Sequence, residues 1–181
     1  MTLDHILDPR FIIFIIGFVA AVTCTQIKNR RWMLLTKFTG DSFNGTYMLL
    51  MGGASGALAC YIAGLGGLIQ ALTPDRYLHA TKLPRIMGAI ALSIAAIFVT
   101  YHQPLDAVPL AAIIFCRFME LHRNPERIRL AYYLAGFPWM YYIYEKGIYF
   151  SLFSIACMNV MFLVGLIRHR PKPRPESIEP V

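Results

Sequence analysis

Apolar residues gather into seven long runs along the chain, separated by short polar stretches. The runs cover about 10–26, 31–51, 54–72, 85–101, 105–121, 128–144 and 148–167. A membrane-crossing helix needs about 20 mostly apolar residues, somewhat fewer when flanking side chains reach for the interface. Each run therefore predicts a transmembrane helix. K-N-R-R ends the first run, Gly52-Gly53 turns the second into the third, and T-P-D-R-Y-L-H-A-T-K-L-P leads to the fourth. H-Q-P closes the fourth, H-R-N-P-E-R follows the fifth, and E-K-G turns the sixth into the seventh. Residues 169–181 are Pro-rich and charged without apolar periodicity, which predicts a disordered tail.

The connections alternate between long and tight, so the runs fall into two like-oriented triplets, 10–72 and 105–167, with 85–101 as a connector. An odd connector lets both triplets point the same way across the membrane. A shift of 95 residues places Asn29 on Asn124, Leu35 on Leu130, Tyr47 on Tyr142, Gly52 on Gly147 and Leu68 on Leu163. These identities are near chance level. The matching helix ends, basic loops and glycine turns carry the repeat. Parallel repeats of this kind occur in transporters that bind solute at the repeat interface near the midplane.

Charge orients the chain. Fourteen basic residues lie in the loops after the first, third and fifth runs and in the tail, against Arg10 and Lys146 on the opposite side. The positive-inside rule then puts the tail in the cytoplasm and the N-terminus outside. The expected fold is all-α integral membrane: seven helices, 3+1+3, in one domain over 1–168. With 57% hydrophobic residues and 15% charged, a soluble domain of 181 residues could not hide its apolar surface. The net charge of +7 is spread in short runs between apolar segments, which suits lipid headgroups and argues against nucleic acid. The N-terminal M-T-L-D-H-I-L-D-P-R lacks a basic region and cleavage site, so the first helix is expected to be retained. Cys24, Cys60, Cys116 and Cys157 each sit in a different run with no CxxC, and read as small buried hydrophobes rather than metal or disulfide partners.

Candidate chemistry centres on the second run. Lys37, Asp41 and Asn44 recur at i, i+4 and i+7 and so share one helix face. A charge inside a membrane costs roughly 2.5–3.5 kcal/mol on insertion scales, so such residues face a bundle interior or a cavity. Two readings stand side by side: a polar cavity for a solute, or an intrahelical pair that only neutralises itself. At the repeat offset Asn44 corresponds to Trp139, an amide facing an indole across the triplets. Asn159 lies mid-span in the seventh run and Tyr61 in the third. Interhelical hydrogen bonding is the plainer explanation of both. Core packing beside Pro138 is the plainer explanation of Trp139. Arg117, Glu120 and His122 are read as an ion-pair cluster at the cytoplasmic edge.

The Q-I-K-N-R-R junction, the amide-bearing second helix, the L-L-M-G-G turn and W-M-Y-Y-I-Y-E-K-G resemble the YgjV-type bacterial inner-membrane family. That family looks related to the PQ-loop, SWEET and SemiSWEET transporters, and the resemblance covers roughly 11–168. It implies the same seven helices in a 3+1+3 arrangement and a place in the inner membrane as a multi-pass protein. It also implies gating at bends of the first two helices of each triplet. Pro109 and Pro138 match that pattern in the second triplet. The first triplet departs from it, offering Gly40 and Gly45 in place of proline, with Gln26 at the junction. Asn159 matches the pocket asparagine of the SWEET group's last helix, whereas Gly64 does not supply its partner.

Two functions remain open from the sequence. One is a facilitator or proton-coupled carrier of a small polar metabolite, with Asp41 titrating against Lys37 and with Asn44, Trp139, Asn159 and Tyr61 lining the pocket. The other is a non-transporting scaffold that pairs with copies or partners through the Gly/Ala-rich third helix, whose Gly52/Gly56, Gly53/Ala57 and Ala63/Gly67 are small-xxx-small pairs. No H-E-x-x-H, G-x-S-x-G or P-loop is present, so neither an enzyme nor a cofactor is expected.

Overall fold

A computed structural model describes residues 8–120 and 125–168. The tail expected over 169–181 lies outside these residues, as does His122. The described residues form seven α-helices and no strand: α1 Pro9–Gln26, α2 Arg30–Leu50, α3 Ala54–Leu72, α4 Lys82–Thr100, α5 Val108–Glu120, α6 Pro125–Glu145 and α7 Tyr149–Arg168. Short 3₁₀ turns, Asp75–Tyr77 and Pro104–Ala107, precede α4 and α5.

Local chemistry sets the helix ends. Asp8 caps α1 by accepting from the Arg10 N–H at 2.8 Å. Asn29 caps α2, its Oδ1 accepting from the N–H groups of Arg31 and Trp32. Such caps satisfy backbone donors that a helix start leaves orphaned. The two tight turns use glycine where the backbone turns left-handed, at Gly52 (φ 81°) and Gly147 (φ 69°). Only glycine adopts that conformation at no steric cost.

Neighbour contacts close six helices into a ring: α1 on α2, α2 on α3, α3 on α5, α5 on α6, α6 on α7, and α7 back on α1. The fourth helix stays outside the ring, packed on α3 and α5. It presents Leu83, Phe98 and Val99 almost bare, and α7 likewise presents Phe153 and Ile167. In water such exposure would drive association; in hydrocarbon it is ordinary. By length and composition α1, α3, α4 and α7 can each cross a membrane. The other three are less apolar or shorter: α2 carries the mid-helix pair, α5 has 13 residues, and α6 is charged at both ends.

Small residues draw the ring tight. Gly40 lies against the Ala21 backbone of α1, and Gly45 against Ala57 and Cys60 of α3. Helix α2 runs unbroken through both glycines, which serve here as close-approach positions. The small face of α3 is spent the same way. Gly56 is covered by Tyr142 and Met48, Gly64 by Phe38 and Asp41, while Ala57, Ala63 and Gly67 are buried within the chain. Apolar side chains fill the ring in three clusters, and Trp139 touches all three.

Candidate functional site

Inside the ring is a cavity of about 120 Å³, walled by α2, α3, α5, α6 and α7. The packing of Gly40 and Gly45 holds α2 so that Lys37, Asp41 and Asn44 all face it. Lys37 Nζ donates to Asp41 Oδ2 in an ion pair one helical turn long. The Lys37 ammonium also lies 4.9 Å from the centre of the Tyr132 ring, an attractive contact with the ring face. Both members of the pair are largely buried. The Asn44 amide sits over Gly17 of α1, where a side chain larger than hydrogen would collide with it.

The opposite wall comes from α6 and α7. Trp139 lines the cavity edge-on to Tyr142, with ring centres 6.1 Å apart. Asn159 packs its amide on Gly136, in space that a Cβ at that position would occupy. Its Nδ2 is buried without a hydrogen-bond partner, and so is the Ser154 hydroxyl. Both residues are more than nine-tenths buried and both line the cavity. Buried polar atoms are nearly always satisfied, so two such orphans at one cavity mark a place where a partner from outside the chain fits.

Of the sequence-expected binding residues, Asn44, Trp139 and Asn159 come together here with Asp41 and Lys37. Tyr61 does not join them. Its hydroxyl is 2.9 Å from Thr46 Oγ1, a bond between α2 and α3. Pro109 is fully buried at the start of α5, and Pro138 lies inside α6, facing a groove on the outside of the ring. Lacking an N–H, Pro138 leaves the Leu134 carbonyl without its helical donor.

Two lining residues escaped the sequence reading. Arg117, assigned there to an edge ion pair, is 4% exposed and forms part of the cavity wall, its guanidinium lying across Gly66 of α3. The Glu120 side chain lies outside the described set. The signal for Ser154 is its register: Ser151, Ser154, Met158 and Asn159 share one face of α7 by helical spacing.

Different polar sets lie toward the two ends of the ring. At the end of the tight turns, Gly56 N–H donates to Tyr142 Oη (3.1 Å), the Tyr142 and Ser55 hydroxyls are 2.8 Å apart, and Ser55 Oγ donates to Asp106 Oδ1 (3.2 Å). Asp106 also accepts from the backbone N–H groups of His102 and Gln103 and pairs with Lys146 at 2.9 Å. Burial raises the Asp106 carboxyl, but the Lys146 and backbone hydrogen bonds outweigh it and hold the group below its ordinary range. At the other end Arg129 Nη2 donates to the Ile27 carbonyl (3.1 Å) and Gln26 Nε2 reaches the Met161 carbonyl (3.5 Å).

Seven helices with bare apolar flanks around a buried polar interior define a multi-pass α-helical membrane protein. A family model described as bacterial inner membrane protein, Imp-YgjV, matches residues 11–172, and the chain belongs to that family. It is accordingly a multi-pass protein of the bacterial inner membrane. No curated protein and no solved structure matches it.

Proposed function

We propose that the chain carries a small polar metabolite across the inner membrane through the central cavity, with proton exchange at Asp41. One observation carries this reading: a cavity inside the ring that holds an ion pair together with two partnerless buried polar atoms, Asn159 Nδ2 and Ser154 Oγ. Its volume is comparable to an engineered cavity of roughly 150 Å³ that takes benzene, so the solute is of that order of size. Intramembrane carboxylates often relay protons, and Asp41 lines the cavity paired with Lys37.

In this reading α1–α3 and α5–α7 are parallel repeats with α4 as connector, as in the PQ-loop and SWEET transporters that the sequence resembles. Repeat-related positions support it. Gly52 and Gly147 both turn left-handed, Asn44 and Trp139 both line the cavity, and Tyr47 and Tyr142 share one core cluster. The basic loops favour an outer N-terminus and a cytoplasmic C-terminus by the positive-inside rule. The Asp106 network is then the outer closure and the Arg129–Ile27 contact the inner one. Passage requires each to open while the other holds.

The test is reconstitution into liposomes with an internal pH dye and a panel of small metabolites. The expected result is solute-dependent acidification by the wild type and none by Asp41→Asn. A wild-type response from Asp41→Asn at every pH would contradict the proton-coupling role.

A further inference from the structure

A second space lies outside the six-helix ring, in the cleft between α3 and α4. It measures about 360 Å³, three times the central cavity. One wall is Ile62, Leu65 and Ile69 of α3; the other is Ile86, Ala89 and Leu92 of α4. Leu65, Ile69 and Leu92 are exposed at its rim, so the cleft opens sideways onto the bilayer. Gly88 widens it, since a Cβ there would meet nothing within 4 Å.

Its polar end is positively charged. Arg85, in the first turn of α4, donates from Nε to the Thr81 carbonyl (3.0 Å) and from Nη2 to the Leu78 carbonyl (2.6 Å), which fixes the guanidinium plane over the loop. Arg117 reaches the same cleft from α5 across Gly66. Gly66 is six residues before the end of α3, a rise of about 9 Å, so the two cations sit at different depths. None of the described residues lining the cleft is acidic. An apolar trough that opens to hydrocarbon and ends on two arginines has the shape and charge of a lipid: chain in the trough, anion on the guanidinium. Basic pockets between membrane helices recognise anionic headgroups in this way.

We propose that this cleft holds one anionic glycerophospholipid, its phosphate on Arg85 and an acyl chain between α3 and α4. The site is independent of the transport reading. Arg117 lines both spaces, so the lipid lies beside an arginine that also faces the central cavity.

Native mass spectrometry of the detergent-purified full chain tests this, with phosphatidylglycerol and phosphatidylcholine at equal concentration and inorganic phosphate in a separate arm. The expected result is one phosphatidylglycerol retained in preference to phosphatidylcholine. Arg85→Gln should weaken that binding about tenfold, the worth of a charged hydrogen bond. Arg85 also ties loop carbonyls, so Gly88→Phe serves as the second variant. It fills open space and should lose the lipid while keeping the wild-type melting temperature in lipid-free detergent. Equal retention of both lipids, or wild-type retention by Gly88→Phe, would overturn the proposal. So would inorganic phosphate protecting the protein against heat as well as phosphatidylglycerol does, since that would assign the site to a free anion.

Discussion

Lys37→Met should destabilise the bundle by about 3–5 kcal/mol, and adding Asp41→Leu should recover most of the loss. The single change strands a carboxylate that is largely buried beside Tyr132 and the walls of α6 and α7. The double change removes the stranded charge and leaves side chains of similar volume, an exchange that is often neutral in protein interiors. Thermal unfolding in detergent of the wild type, both single variants and the double variant gives the coupling energy directly. The comparison also decides what the pair is for. A double variant that is stable yet inert in liposomes makes the pair functional. One that is stable and still active reduces it to a self-neutralising pair inside α2. Equal losses in the single and double variants would mean that the pair contributes to stability through something other than its charges.

The second large effect is expected at Asp106. Asp106→Ala removes the acceptor for Ser55, for Lys146 and for two backbone N–H groups at once. Lys146 is a quarter exposed and can turn to water, whereas the buried Ser55 cannot. Each unsatisfied buried donor costs about 1–3 kcal/mol, so a loss of about 2–4 kcal/mol is expected. The sign with pH follows from the depressed carboxyl. Its stabilisation is fully present above the unfolded carboxylate range, near about pH 4, and is lost as pH falls through the lower folded value. The wild-type melting temperature should therefore stay level from neutral pH to about 4 on account of this group and fall below that. Asp106→Asn should lack this group's part of the acid fall. An unchanged acid limb in Asp106→Asn would assign the fall to other carboxylates.

The helices were legible because hydrocarbon leaves so little choice: a run of about 20 apolar residues must satisfy its backbone internally. The third run was read as 54–72 and is Ala54–Leu72; the first was read as 10–26 and is Pro9–Gln26. The starts of α4 and α6 were placed three residues late, because Lys82, Pro84, Glu126 and Arg127 look like loop yet lie in the helices' first turns. The fifth run was one helix in sequence but is a 3₁₀ turn followed by a shorter helix, since Pro104 and the Asp106 acceptor set up a separate turn.

Helix rotation was harder to read. A polar residue in an apolar helix marks its own face, so Lys37, Asp41, Asn44 and Asn159 could be assigned to the interior. Aromatic residues circle α6, and nothing in their pattern said that Trp139 faces the cavity while Phe137 and Tyr141 do not. An arginine near a helix end ordinarily snorkels outward, so the inward course of Arg117 was not legible. Here Gly66 leaves room for it to lie inward across α3 instead. Tyr61 makes the interhelical hydrogen bond that is the plainer reading of its mid-span position, and only the identity of the partner, Thr46, lies beyond what spacing reveals. The Asp106 network joins residues up to 87 positions apart, beyond the reach of any local pattern.

The central claim is that the cavity opens to each side of the membrane in turn, and Ser154→Cys tests it most directly. Ser154 is 2% exposed, so a thiol there reacts only when the cavity opens. With Cys24, Cys60, Cys116 and Cys157 replaced by alanine, a membrane-impermeant thiol reagent is applied to right-side-out and to inverted vesicles. Labelling is expected from both faces, slowed by any solute that the protein carries. No labelling from either face, with full labelling after unfolding, would contradict it and leave the cavity a sealed structural void.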